Sequence, residues 1–211
     1  MFIKSIFTSL IILFSFSRAQ AILEARLTYG SLASNPQLSD VYTGSASEVP
    51  TIAPNYGLGV DALIIFPVVG FGFGARYENL GFKIDNAGLE YKTSTTRTAL
   101  VVNYRLLNTF FFLGPIATYG LSHTNNMKWS VTSPSLSVPT TAKADLIPQS
   151  STSYSLGIEA GIKMLNFLLG AEVGYEDFKW KKMTDSNGTL TSTPDLNMNG
   201  VYTKVMFGFG I

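Results

Sequence analysis

The stretch NYGLGVDALIIF, residues 55–66, followed by PVV (67–69) and GFGFGARYE (70–78), decides the fold. In the first run Tyr56, Leu58, Val60, Ala62, Ile64 and Phe66 share one face, with Gly57, Gly59 and Asp61 opposite. In the second, Phe71, Phe73, Ala75 and Tyr77 oppose Gly70, Gly72, Gly74, Arg76 and Glu78. Period-2 alternation places each set on one side of a β-strand. The proline-bearing connector breaks the ladder between the two strands. The second face is the informative one. A solvated sheet face is normally rich in Lys, Glu, Thr and Ser, whereas here it is glycine with a few charges of both signs. Glycine costs conformational entropy in a strand, and a crowded interior that must hold a few long side chains gives a reason to accept it. A run of about 11 residues has the length of a tilted transmembrane strand. The stretch predicts a transmembrane hairpin with its apolar face in lipid and its small and charged face in a lumen.

Outward from this hairpin the same pattern recurs. Leu23 to Tyr29 alternate as a first strand, and the polar stretch 34–54 reads as a long loop. A second long connection passes through Asp85-Asn86-Ala87-Gly88, a hairpin tip. A fourth strand sets Thr98, Leu100, Val102, Tyr104 and Leu106 outward, and a Leu107-Asn108-Thr109 turn leads to a fifth over 111–121. Pro115 inside that strand predicts a bulge. Residues 122–151, dominated by Ser, Thr and Pro, read as the longest loop. Strands six (154–164) and seven (167–176) flank a turn at Leu165-Asn166, and Asn187-Gly188 carries a type I′ turn signal before strand eight, 201–211. Eight strands whose connections alternate long and short predict an all-β, eight-stranded antiparallel transmembrane β-barrel of up-and-down meander topology.

The aromatic residues sort by height. Tyr29, Tyr56, Tyr77, Tyr119, Tyr154 and Tyr175 fall at the long-loop ends, and Phe66, Phe71, Phe111, Phe167 and Phe207 toward the short turns. Two aromatic girdles are what interfacial anchoring requires. By parity the lumen receives Glu24, Asp61, Glu78, Glu159 and Glu172 with Arg26, Arg76, Arg97, Arg105, Lys163 and Lys204. Buried charges must be paired, and an eight-stranded interior is only wide enough for side chains to fill. The set reads as a salt-bridged plug, with a narrow ion path as the alternative.

Composition bounds the remainder. The chain has 211 residues, no cysteine and a net charge of +1, which falls to −1 without Lys4 and Arg18. That balance argues against nucleic acid as a partner, and one histidine forbids a multi-histidine metal site. Residues 1–21 have the make-up of a cleavable signal peptide, with Lys4, the apolar run Ile6 to Phe16 and Ala19-Gln20-Ala21. The mature barrel is then 22–211. No cofactor is expected. Lys179, Lys181 and Lys182 cluster just above Tyr175 and suit lipopolysaccharide phosphates.

With signal, strands, girdles and the closing KVMFGFGI (204–211) in place, the mature chain resembles the small outer-membrane β-barrel superfamily of Gram-negative bacteria, which includes the OmpA barrel domain, OmpX and OmpW. The ending resembles the signal read by the barrel-assembly machinery, although it closes on Ile211 where an aromatic is usual. The resemblance implies outer-membrane lipid and lipopolysaccharide as surroundings, and no periplasmic domain is expected after Ile211. It also implies three functions to weigh: a structural or surface-interaction role through four long loops, a small channel for ions or apolar solutes, and enzymatic modification of lipid A. The lipid A deacylase of this group has a lipid-facing His-x-Ser motif. Here His123 is followed by Thr124 and Asn125, so the serine is absent and His123 reads as a loop residue at the rim. A water-soluble, lipocalin-like barrel with the apolar face inward is the remaining alternative.

Overall fold

The computed structural model describes residues 21–34, 55–86, 89–133, 140–185 and 195–211. Residues 1–20, most of the predicted loop 34–54, and the Asn187-Gly188 turn lie outside them. Eight long strands form the wall: β1 Ile22–Ser34, β2 Asn55–Phe66, β3 Phe71–Asn86, β4 Leu89–Tyr104, β5 Phe111–Ser133, β6 Thr140–Met164, β7 Phe167–Asp185 and β8 Gly200–Gly210. Each pairs antiparallel with the next, and β8 returns to β1 in unbroken register from Glu24↔Gly210 to Ser34↔Gly200. Reciprocal bonds between Leu23 and Ile211, 2.9 and 3.0 Å, complete the closure. The eight-stranded barrel read from the alternation is the fold observed.

Register and alternation enforce one another. Leu58, Val60 and Ile64 are exposed while Asp61, Leu63 and Ile65 are fully buried. A slip of one residue would exchange those faces along the whole strand. At several inner-face glycines an added side chain would run into backbone. A Cβ on Gly74 would lie 1.9 Å from the Ala62 carbonyl oxygen, and one on Gly114 1.8 Å from that of Tyr104. Gly70 closes the β2–β3 turn with φ of +69° and donates its N–H to the Phe66 carbonyl at 2.9 Å.

Four sequence readings need correction. Residues 122–151 are mostly strand: β5 continues to Ser133 and β6 begins at Thr140, so a paired hairpin rises well beyond Tyr119 and Tyr154. The β3–β4 connection is likewise paired out to Asn86↔Leu89. Above the apolar belt neither face touches lipid, so the alternation that marks a strand disappears while β-branched threonine still favours one. Leu107 and Asn108 also pair, with Leu113 and Phe112, and the chain reverses just after them. Pro115 makes no bulge. It faces outward, paired with Ile158 on β6, and the β4 ladder ends beside it at Asn103↔Ile116.

The bulge sits higher. Ala99 is opposite Gly120 but Thr98 is opposite Ser122, so Leu121 is the extra residue. An extra residue reverses which positions of a strand face inward. Thr118 and Gly120 point inward below it, His123 and Asn125 above it. β6 keeps its alternation, with Ser151, Ser153 and Ser155 inside. The two strands are therefore out of phase. Their ladder stops at Tyr119↔Tyr154 and resumes at Met127↔Leu146, while each stays paired to its other neighbour. Side chains bridge this seam: Asn125 Nδ2 donates to Ser151 Oγ at 2.7 Å, and His123 Nε2 lies 2.8 Å from Ser153 Oγ.

Candidate functional site

The lumen is the site the wall builds. Alternation sends every other side chain of all eight strands inward, and the register then chooses neighbours. Arg26 stands opposite Asp61, Asp61 opposite Arg76, Glu78 opposite Arg97 and Lys204 opposite Glu172. Each adjacent pair has opposite sign, which stabilises cross-strand neighbours by a few tenths of a kcal/mol to about 1 kcal/mol. Glu159 and Glu172 are the exception, two carboxylates side by side. Different arginines take them.

Three clusters result. Nearest the short turns, Arg105 grips Glu24 with both terminal nitrogens, each bond 2.7 Å, and gives Nε to Glu159 at 3.0 Å. Arg26 joins the same two carboxylates, 2.8 Å to Glu159 and 3.1 Å to Glu24. Asn103 donates to Glu159 at 2.5 Å, and the Arg105 guanidinium lies 4.6 Å from the Phe112 ring centroid. Lys163, at the edge, donates to Asn108 Oδ1 at 2.5 Å and stands 3.8 Å from Glu24. In the middle, Arg76 holds Asp61 through bonds of 2.7 and 2.9 Å and Glu172 through bonds of 2.8 and 3.2 Å. The Tyr202 hydroxyl donates to Glu172 at 2.7 Å. Above these, Arg97 pairs with both Glu78 and Glu176, and Lys204 donates to Glu78 at 2.7 Å.

All eleven lumen residues named from the sequence lie in these clusters, most of them almost wholly buried. Sequence reasoning omitted Glu176, although it shares the inward parity of Glu172, and with it six carboxylates meet six cations. Several bonds are chords across the bore, such as Arg105 to Glu24, Arg76 to Glu172 and Arg97 to Glu176. Removing one partner of such a pair leaves a buried charge uncompensated, a loss of about 3–5 kcal/mol. Apolar residues fill the remaining space toward the short turns, in one group of Leu63, Ile65, Val101 and Ile116 and another of Phe112, Leu168 and Met206. The parity argument had left Leu63 and Ile65 unplaced.

Outside, Tyr29, Tyr77, Tyr119, Tyr154, Tyr175, Phe71, Phe111, Phe167 and Phe207 are exposed, and Phe66 is half-buried. Phe167 packs against Phe207 and Phe209 with centroids 6.0 and 5.4 Å apart. The side chain of Tyr56 lies outside the described residues. Lys179 and Lys181 project from the outward face of β7 above Tyr175, and Lys179 stands 3.3 Å from Asp177. Lys182 has a φ of +52°, which takes it out of that column.

His123 requires a correction. It belongs to β5, not to a loop at the rim, and the bulge at Leu121 turns it inward, where its ring stacks on Phe178 at 5.6 Å. The nucleophile that its sequence neighbours lacked is brought by β6, since Ser153 meets it at 2.8 Å. Ser153 is 2% exposed, and among the described residues the His123 ring bonds to Ser153 and stacks on Phe178, with no carboxylate bonded to it to orient it as a base. The pair joins β5 to β6 where the backbone ladder does not. No group of histidine, cysteine and carboxylate side chains suited to a metal occurs among the described residues.

No protein-family model matches the sequence, and no curated protein matches it. Among solved structures, the outer membrane protein OprG from Pseudomonas aeruginosa is 15% identical, with a TM-score of 0.51 over 90% of this chain and 96% of its own. The chain has the fold of an outer-membrane β-barrel. Two further structures align with lower scores. The outer membrane protease OmpT from Escherichia coli is 9% identical, covers 92% of this chain and 98% of its own, and scores 0.48. Neisserial surface protein A is 11% identical, covers 90% and 96%, and scores 0.41. In the outer-membrane-type barrel described here, the exposed apolar belt and the charged interior are the two halves of one pattern. Residues such as Leu58 (60% exposed) and Leu156 (65% exposed) would be a large unfavourable surface in water. The water-soluble alternative, which needs them at the centre, is thereby excluded.

Proposed function

We propose that this chain is an integral outer-membrane protein whose barrel is a closed, rigid support, and whose work is done by the loops and hairpins at its long-connection end. The observation that carries the reading is the matched set of six carboxylates and six cations spanning the bore in mutual contact. An ion path needs mobile water and groups free to exchange partners with a passing ion. These side chains are instead committed to one another, in an interior narrow enough for side chains to fill. Function on such a scaffold lies in the connections, and the β5–β6 tip, paired again from Met127↔Leu146 to Ser133↔Thr140, gives this barrel an extracellular projection.

The experiment is conductance of the purified protein in planar lipid bilayers. Silence at membrane voltages is expected. A steady unit conductance that changes on Arg76→Met would return the channel reading. The role is non-enzymatic in this proposal, because Ser153 is enclosed and its histidine has no orienting acid bonded to it among the described residues. Lipid A from cells overproducing the protein should have an unaltered mass, and loss of an acyl chain that depends on Ser153 would overturn this. Export through a cleaved signal at residues 1–21 and assembly by the barrel-assembly machinery complete the proposal. N-terminal sequencing of the outer-membrane form should begin at Ile22.

A further inference from the structure

The seam between β5 and β6 lies immediately beyond Tyr119 and Tyr154, which face each other across the last rung of the interrupted ladder. Over 120–126 and 147–153 the residues of each strand that face the other have no ladder partner there, and such backbone groups require a hydrogen-bonding partner. The outward side chains beside the seam are Ser122 and Thr124 on β5 and Ser150 and Thr152 on β6. On the next strand, Lys179 stands opposite Thr152 and Lys181 opposite Ser150. At about 4.8 Å between strands, the lysine column is roughly 7 Å from the middle of the seam. Hydroxyls, unpaired peptide groups and two ammonium groups thus form one outward patch at a single height, directly above aromatic side chains of the interfacial kind. Asp177 offsets one positive charge. It lies 3.3 Å from Lys179 and accepts the Tyr154 hydroxyl at 3.0 Å, leaving Lys181 without an ion-pair partner among the described residues.

We infer that this patch is a binding site for the phosphorylated saccharide headgroup of an outer-leaflet glycolipid, with phosphate at Lys179 and Lys181 and sugar hydroxyls on the β5–β6 seam. The inference rests on the outer-membrane reading above. It goes further by making the broken ladder part of the site and giving it the sugar to hold. A phosphate next to lysine gains a charge-assisted contact. A saccharide supplies donors and acceptors that the seam-facing peptide groups of the two strands can use. A plain phospholipid offers the phosphate without the sugar, and inorganic phosphate offers neither sugar nor acyl chains to lie against Tyr119 and Leu121.

The test uses full-length protein in phosphatidylcholine bicelles, with lipid A diphosphate as the probe and native mass spectrometry counting the lipid retained. Wild type is expected to hold lipid A in preference to phosphatidylglycerol at equal fraction. Lys179→Gln/Lys181→Gln should lower occupancy at least fivefold. Ser150→Val/Thr152→Val, which removes the hydroxyls at the seam's outer edge, should lower it comparably with both lysines intact. Equal retention of lipid A by all variants would overturn the inference. So would displacement by millimolar inorganic phosphate, or retention of phosphatidylglycerol as strong as that of lipid A. Heat-modifiable migration of the same samples reports on the barrel separately. A folded, membrane-inserted protein with no lipid preference sinks the site alone, and a protein that never inserts sinks the membrane reading with it.

Discussion

The β2–β3 wall and the β5–β6 wall are built from the same kind of strand and end differently. From Tyr56↔Gly81 to Phe66↔Phe71 the first pair is paired without interruption, and glycines on its inner face let arginine and carboxylate fill the bore. The second pair begins the same way, with Gly157, Gly161 and Glu159 inward. One extra residue at Leu121 then puts it out of phase, and side chains take over from peptide groups. The lesson concerns where regularity is required. In the lipid belt an unpaired peptide group has no water to turn to, so the ladder must be complete. Above the belt water and headgroups can serve, and the wall can open to display polar chemistry.

Four measurements press on this contrast. The largest effect is expected inside the regular wall: Arg76→Met leaves Asp61 and Glu172 buried without their cation, a loss of about 3–5 kcal/mol, read as a lowered urea midpoint in vesicles. A stability equal to wild type would mean that the ion pairs do not hold the bore. Next comes glycine replacement. Gly74→Ala drives a Cβ into the backbone of Ala62 and Leu63 and should cost about 1–3 kcal/mol. Gly120→Ala meets the ends of Ser153 and His123, at 2.3 and 2.6 Å, which can swing aside, and should cost less. The reverse order would show that the seam is the more rigid region. In hydrogen exchange, amides of 120–126 that face β6 should exchange about tenfold faster or more than those of 57–63. Uniform protection would mean the ladder is closed in the membrane. The smallest effect belongs to His123→Ala, about 0.5–1.5 kcal/mol for one lost hydrogen bond, with the same folded migration as wild type.

Strand number, closure and inward face were legible in the belt because lipid on one side and a crowded bore on the other impose alternation residue by residue. Leu100, Val102 and Tyr104 against Arg97, Asn103 and Arg105 could be assigned before any partner was known. Beyond the belt that signal ends, which is why the Ser/Thr-rich 122–151 read as loop although it is largely strand. The bulge was misplaced for a related reason. Pro115 advertises a missing donor, yet at the end of the β4 ladder that donor is not needed, whereas nothing in Gly120-Leu121-Ser122 announces an extra residue.

The sequence by itself determined which side chains enter the lumen and which meet lipid, because a strand offers only two faces. It could not say that Arg105 reaches Glu24, that Arg97 has Glu176 as a second partner, or that Ser153 comes to His123. Those partners sit on strands distant in sequence or across the bore, and only the stagger of the closed barrel sets their heights. Local alternation needs no partner strand; a chord across the lumen exists only once the last strand has met the first.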